Sequence, residues 1–90
     1  MIIFLKKFGT VLTSRQAGRE ALSAFLPTLN ALNNHENITV DFDGVSALSP
    51  SWADEFITPL TERFGNRVTL HKSENASVIL TLETLKKFSR

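Results

Sequence analysis

The side chains best equipped for chemistry crowd into one stretch, Asp41-Phe42-Asp43-Gly44-Val45-Ser46-Ala47-Leu48-Ser49-Pro50-Ser51-Trp52-Ala53-Asp54-Glu55-Phe56, and into a pair of arginines, Arg15 and Arg19. Asp41, Asp43, Asp54 and Glu55 are hard oxygen donors of the kind that hold Mg²⁺. Strand alternation, however, sets Asp41 opposite Phe42, and Asp54 and Glu55 fall in what reads as a first helical turn, where the dipole favours acidic residues without any metal. No metal or cofactor is therefore expected. Ser49 followed by Pro50 fits an N-cap with proline at the first helical position. Were the cap Ser51, Asp54 would take the acidic place three residues later.

The Ser51 hydroxyl has a second possible role, as a phosphate acceptor or a group facing a partner. A phosphate at a helix start meets unpaired amides and the positive dipole end, although Asp54 and Glu55 one turn away would repel it. Arg15 and Arg19, four residues apart, share one helical face, with Gly18 between them permitting close backbone approach. They either hold an acidic partner or an anion, or pair with Asp43, Asp54 or Glu55.

Other chemistries lack their residues. With no cysteine in the chain, disulfides, thiolate metal sites and a cysteine nucleophile are excluded, in keeping with a cytoplasmic protein. His35 and His71 have no HExxH-type or serine-elbow companion, and neither a GxGxxG nor a P-loop is present. The expectation is a protein that is not an enzyme. Ten Lys and Arg against nine Asp and Glu, without runs of either sign, leave no basic footprint for nucleic acid. No apolar stretch approaches the roughly 18–20 residues needed to span a bilayer. Met1–Leu5 is apolar, but Lys6 and Lys7 come after it rather than before it, so it reads as a strand and not as a leader.

These residues need elements to position them. The β-branched and aromatic run from Met1 to Phe8 predicts a first strand, ended by Gly9-Thr10. Thr13 to Gln16 has capping-box spacing, and the helix it starts carries Ala21, Leu22, Phe25, Leu26, Leu29 and Leu32 on one face and ends near Asn33-Asn34-His35. Pro27 should kink or divide it. Ile38, Val40 and Phe42 alternate as a strand closed by Asp43-Gly44. A second helix from about Ser51 to Phe64 buries Trp52, Ala53, Phe56, Ile57, Leu60 and Phe64, with a kink at Pro59 and Gly65 at its end. Arg67 to His71 is a short strand, and Asn75 caps a last helix with Val78, Ile79, Leu82 and Leu85 inward and Lys86 and Lys87 at its negative end. The order β-α-β-α-β-α predicts one α/β domain over residues 1–90 with a mixed, mostly parallel sheet covered by helices.

Leu12-Thr13-Ser14-Arg15 with Gly18, Asp41 to Val45, Ser51 to Glu55, and Asn75 before the last helix together resemble the STAS-like family of uncharacterised domains, related to the STAS domains of anti-sigma factor antagonists. The segment from Asp41 to Glu55 is the specific part. The resemblance implies a STAS-like fold and regulatory protein–protein interaction, typically with a histidine-kinase-like ATPase or an anti-sigma-type switch protein. In those antagonists the corresponding strand leads to an Asp-Ser-Ser-Gly motif whose second serine is phosphorylated, and that position falls on Ser51. Ser49 stands here where the motif has Asp, Pro50 replaces its first Ser, and Trp52 replaces its Gly. The expected partner surface runs from Asp43 to Glu55, including Ser49, Ser51 and Asp54, with the Arg15 and Arg19 end of the first helix. The alternative is a small anionic ligand, such as a nucleotide phosphate, cradled by the two arginines and the helix start at Ser51.

Overall fold

A computed structural model describes residues 1–88, with the order β1 (Ile2–Phe4), β2 (Val11–Leu12), α1 (Arg15–Asn30), β3 (Ile38–Asp41), β4 (Ala47–Leu48), α2 (Pro50–Phe64), β5 (Val68–Leu70) and α3 (Ala76–Phe88). The α/β class and the alternation of strands and helices are as expected. Every ladder is parallel, and the strands divide into two sheets, β1-β3-β5 and the small β2-β4 pair. In the larger sheet Ile3, Val40 and Leu70 lie in register, so one face gathers apolar side chains into the core. Ile2, Phe4 and Thr69 point the other way and are exposed.

The expected strand from Met1 to Phe8 is shorter. It gives way to a 3₁₀ turn over Leu5–Phe8, because Leu5 and Phe8 then fall three residues apart on the same inward side while Lys6 and Lys7 turn to solvent. α1 is capped by Ser14 rather than Thr13: the Ser14 hydroxyl accepts from the Ala17 amide at 2.9 Å, and Gln16 bonds to Glu20 instead of reaching back. The helix stops at Asn30, and Asn33 forms a local turn by accepting from the His35 amide. Pro27 and Pro59 each lie inside an unbroken helix. Pro27 stands on the exposed side of the helix, as does Ser23, whose carbonyl the proline ring leaves without its helical donor, so that group faces solvent rather than the core. Leu26, placed inward by the sequence pattern, is likewise exposed, as is Ile79.

The core joins sheet and helices through Ile3, Leu5, Phe25, Ile38, Val40, Phe42, Trp52, Phe56, Leu60 and Val78. Its centre is aromatic. Trp52 stacks on Phe56 with centroids 5.1 Å apart, and Phe8 meets Phe25 edge-on at 6.0 Å. Helix α2 is the hub, packing against both α1 and α3.

Candidate functional site

The β2-β4 pair delivers the chain to the starts of two helices at once. Ser49 occupies the N-cap of α2, its hydroxyl accepting from the Trp52 amide at 3.2 Å, while Pro50 fills the first helical position. The same hydroxyl donates to the Thr13 carbonyl at 2.6 Å, just before α1. One side chain thus caps one helix and ties it to the start of the other. Close approach continues along the pair: Gly18 is buried directly against the Trp52 backbone.

Charge pairing follows from that crossing. Arg15 Nη1 donates to Asp54 Oδ2 at 3.0 Å and to Glu55 Oε1 at 2.9 Å, and Arg19 Nη2 reaches Glu55 Oε1 at 3.4 Å. Arg15 sits at the first position of α1, where its charge opposes the helix dipole and no acidic residue of that turn offsets it. The carboxylates of α2 supply the missing charge. Hydrogen bonds from Arg15 and then Arg19 hold the Glu55 carboxyl below the usual carboxylate range, with desolvation opposing them, and the bonds to Glu55 and then Asp54 keep Arg15 more firmly protonated.

Because α2 begins at Pro50, Asp54 and Glu55 lie in its second turn, beyond the first-turn position expected from sequence. Their acidity serves the contact with α1 rather than the dipole of their own helix. Ser51, read as one possible cap, is at the second helical position, half-buried, with the capping done by Ser49. Ser49→Ala is accordingly expected to lower unfolding free energy by about 1–2 kcal/mol, whereas Ser51→Ala should change it by less than about 0.5 kcal/mol. Urea denaturation of the two variants checks this, and equal losses would mean that Ser51 shares the capping.

Ser49, Ser51, Asp54, Glu55, Arg15 and Arg19 are therefore assembled in one place. Asp43 is not among them. It is exposed in the loop after β3, where its amide donates to Asp41 Oδ1 at 2.8 Å, and it lines a shallow cleft at the ends of β3 and β5 with His71, Lys72 and Glu74. Asp41 Oδ2 stands 3.9 Å from His71 Nδ1 in the same cleft. The four carboxylates whose oxygens could have served a metal thus belong to two separate networks, and no group of three or more candidate ligands is brought together among the described residues. The arginines are occupied by carboxylates rather than presented as an open anion cradle.

Sequence reasoning missed Ser77 and Thr81, whose hydroxyls reach the peptide groups of Leu48 just before the site. The available signal was two hydroxyl residues four apart, flanking the inward positions of α3.

Fold and site define a small α/β domain in which two helix starts are joined by a serine and a charge cluster. A family model for STAS-like domains of unknown function matches residues 25–86, about two-thirds of the chain, from within α1 through Ser49, Ser51, Asp54 and Glu55 into α3. The chain belongs to that family. Arg15 and Arg19 lie before the matched segment. No curated protein and no solved structure matches the chain. Among the described residues no helix is long and apolar enough to cross a membrane.

Proposed function

We propose that this domain is a non-enzymatic regulatory module that binds a protein partner through the joined starts of α1 and α2, with Ser51 as the position where added charge switches binding. The observation that carries the proposal is the freedom of Ser51 from the capping role, which Ser49 fills. A modification of Ser51 then leaves the cap in place. Around it, Arg15 and Arg19 are matched by Asp54 and Glu55, so the cluster carries no formal net charge and a phosphate would convert it to an anionic surface. The resemblance of the Asp41 to Glu55 segment to the STAS domains of anti-sigma factor antagonists supports a histidine-kinase-like ATPase or an anti-sigma-type protein as the class of partner.

Affinity purification of the tagged chain from its native cells, with mass spectrometry of co-purifying proteins and of Ser51, tests the reading. With the recovered partner, Ser51→Asp is expected to weaken binding at least about tenfold, an effect within the range of a charge placed at an interface. Its melting temperature should stay close to wild type, since the gain from an acidic residue near the helix start is offset by repulsion from Asp54 and Glu55. Loss of binding and stability in equal measure would assign Ser51 to structure alone and overturn the switch.

A further inference from the structure

Strand β4 is two residues long and, among the described residues, has a strand neighbour on one side only. On that side β2 receives it, with the Ser49 amide donating to the Leu12 carbonyl at 2.9 Å. On the other side a helix stands where a strand would. The Ser77 hydroxyl of α3 accepts from the Leu48 amide and donates to the Leu48 carbonyl, each at 3.0 Å, and the Thr81 hydroxyl donates to the same carbonyl. Asn75 Nδ2 extends the row to the carbonyls of Val45 and Ser46, at 3.3 and 3.1 Å.

Backbone amide and carbonyl groups withdrawn from water must find partners, and a carbonyl oxygen has two lone pairs to offer. Ser77 and Thr81, one helical turn apart on a single face, meet both needs of Leu48. Thr81 is also the one polar residue within the described core, at 3 % exposure, and its hydroxyl is directed at this carbonyl. Leu48 immediately precedes the Ser49 cap, so a shift in its peptide would move the cap, the tie to Thr13 and the first turn of α2 together.

We infer that Ser77 and Thr81 are positioning residues: by taking the place of a strand beside β4 they hold Leu48, and through it set Ser49 and Ser51 at the start of α2. The functional meaning of this rests on the reading of Ser51 above, while the positioning itself is measurable without any partner.

Amide hydrogen exchange of the whole chain, followed by NMR in wild type, Thr81→Val, Thr81→Ser and Ser77→Ala, is the test. Thr81→Val and Ser77→Ala are each expected to speed exchange at Leu48, Ser49 and Trp52 about tenfold more than at Val40 in β3, as local opening predicts when a buried hydrogen bond is removed. Thr81→Ser, which restores the hydroxyl, should bring those amides back toward wild type. Uniform acceleration across the chain would reduce the two residues to general stability, and unchanged exchange at Leu48 and Trp52 would show that they do not hold the helix start. Either result overturns the inference. Should Thr81→Val not fold, Ser77→Ala, at a half-buried site, decides alone. A failure of Ser51→Asp to affect partner binding would sink the switch and leave this result standing.

Discussion

Trp52→Ala is expected to remove about 3–5 kcal/mol of unfolding free energy, the range for truncating a large buried aromatic. Trp52 is 1 % exposed, stacks on Phe56 and lies 6.1 Å from the Phe8 ring. Its neighbours cannot collapse into the space, since Phe8 and Phe56 are themselves held by Phe25 from α1. A domain of this size has roughly 5–13 kcal/mol in total, so the variant should stand at the edge of folding at room temperature. Trp52→Phe, which keeps a ring on Phe56, should lose less than half as much. Far-UV circular dichroism during urea unfolding measures both, independently of the lost indole. A loss below about 1 kcal/mol for Trp52→Ala would show that the start of α2 is anchored mainly by its polar contacts, contrary to the packing described.

Periodicity made the helices and the longer strands legible. Trp52, Ala53, Phe56, Ile57, Leu60 and Phe64 recur at helical spacing, and all six are buried as that spacing requires. Asn75 was readable as a cap from its place before an apolar run, and its side chain accepts from the Val78 amide at 3.1 Å. Strands β2 and β4 escaped notice for a physical reason. Two residues show no alternation, and each exists only because its partner, distant in sequence, runs beside it: Val11 against Ala47 and Leu12 against Leu48. The break at Leu5 was hidden similarly, since Ile3 and Leu5 keep strand alternation and only Phe8, out of step with them yet packed on the same core, betrays the turn.

The candidate site was legible as a list of residues and illegible as an arrangement. Serine followed by proline marked the Ser49 cap, and four-residue spacing put Arg15 and Arg19 on one face. Which acids they would meet depended on the crossing of α1 and α2, and the close contact at Gly18 brings Asp54 and Glu55 into reach while Asp43 remains in the strand-end cleft. Ser77 and Thr81 carried no motif. Their four-residue spacing was visible, but their role arises only when α3 is laid beside a strand too short to be recognised, so a local sequence window could not say what the two hydroxyls meet.

Gly18→Ala tests whether that close contact sets the whole site. In an isolated helix the substitution would stabilise by about 1 kcal/mol, because alanine loses less backbone freedom. Here an added Cβ would lie 2.6 Å from the Trp52 carbonyl oxygen, 3.1 Å from its Cα and 3.2 Å from Glu55 Cβ. Two of the three are backbone atoms of α2, and no rotamer change moves them. Overpacking of this kind typically costs about 1–3 kcal/mol, enough to outweigh the gain in helix propensity, so net destabilisation is expected. Ser23→Ala, at an exposed position of the same helix, gains propensity without meeting anything and should shift stability the other way. The charge cluster provides an independent reading. As α1 is pushed away, Arg15 and Arg19 withdraw from Glu55, and its carboxyl pKa, followed by NMR, should rise toward the ordinary range. A Gly18→Ala protein as stable as wild type, with the Glu55 carboxyl unmoved, would mean that α1 and α2 tolerate a wider spacing and that the ion pairs, rather than the glycine contact, hold the two helix starts together.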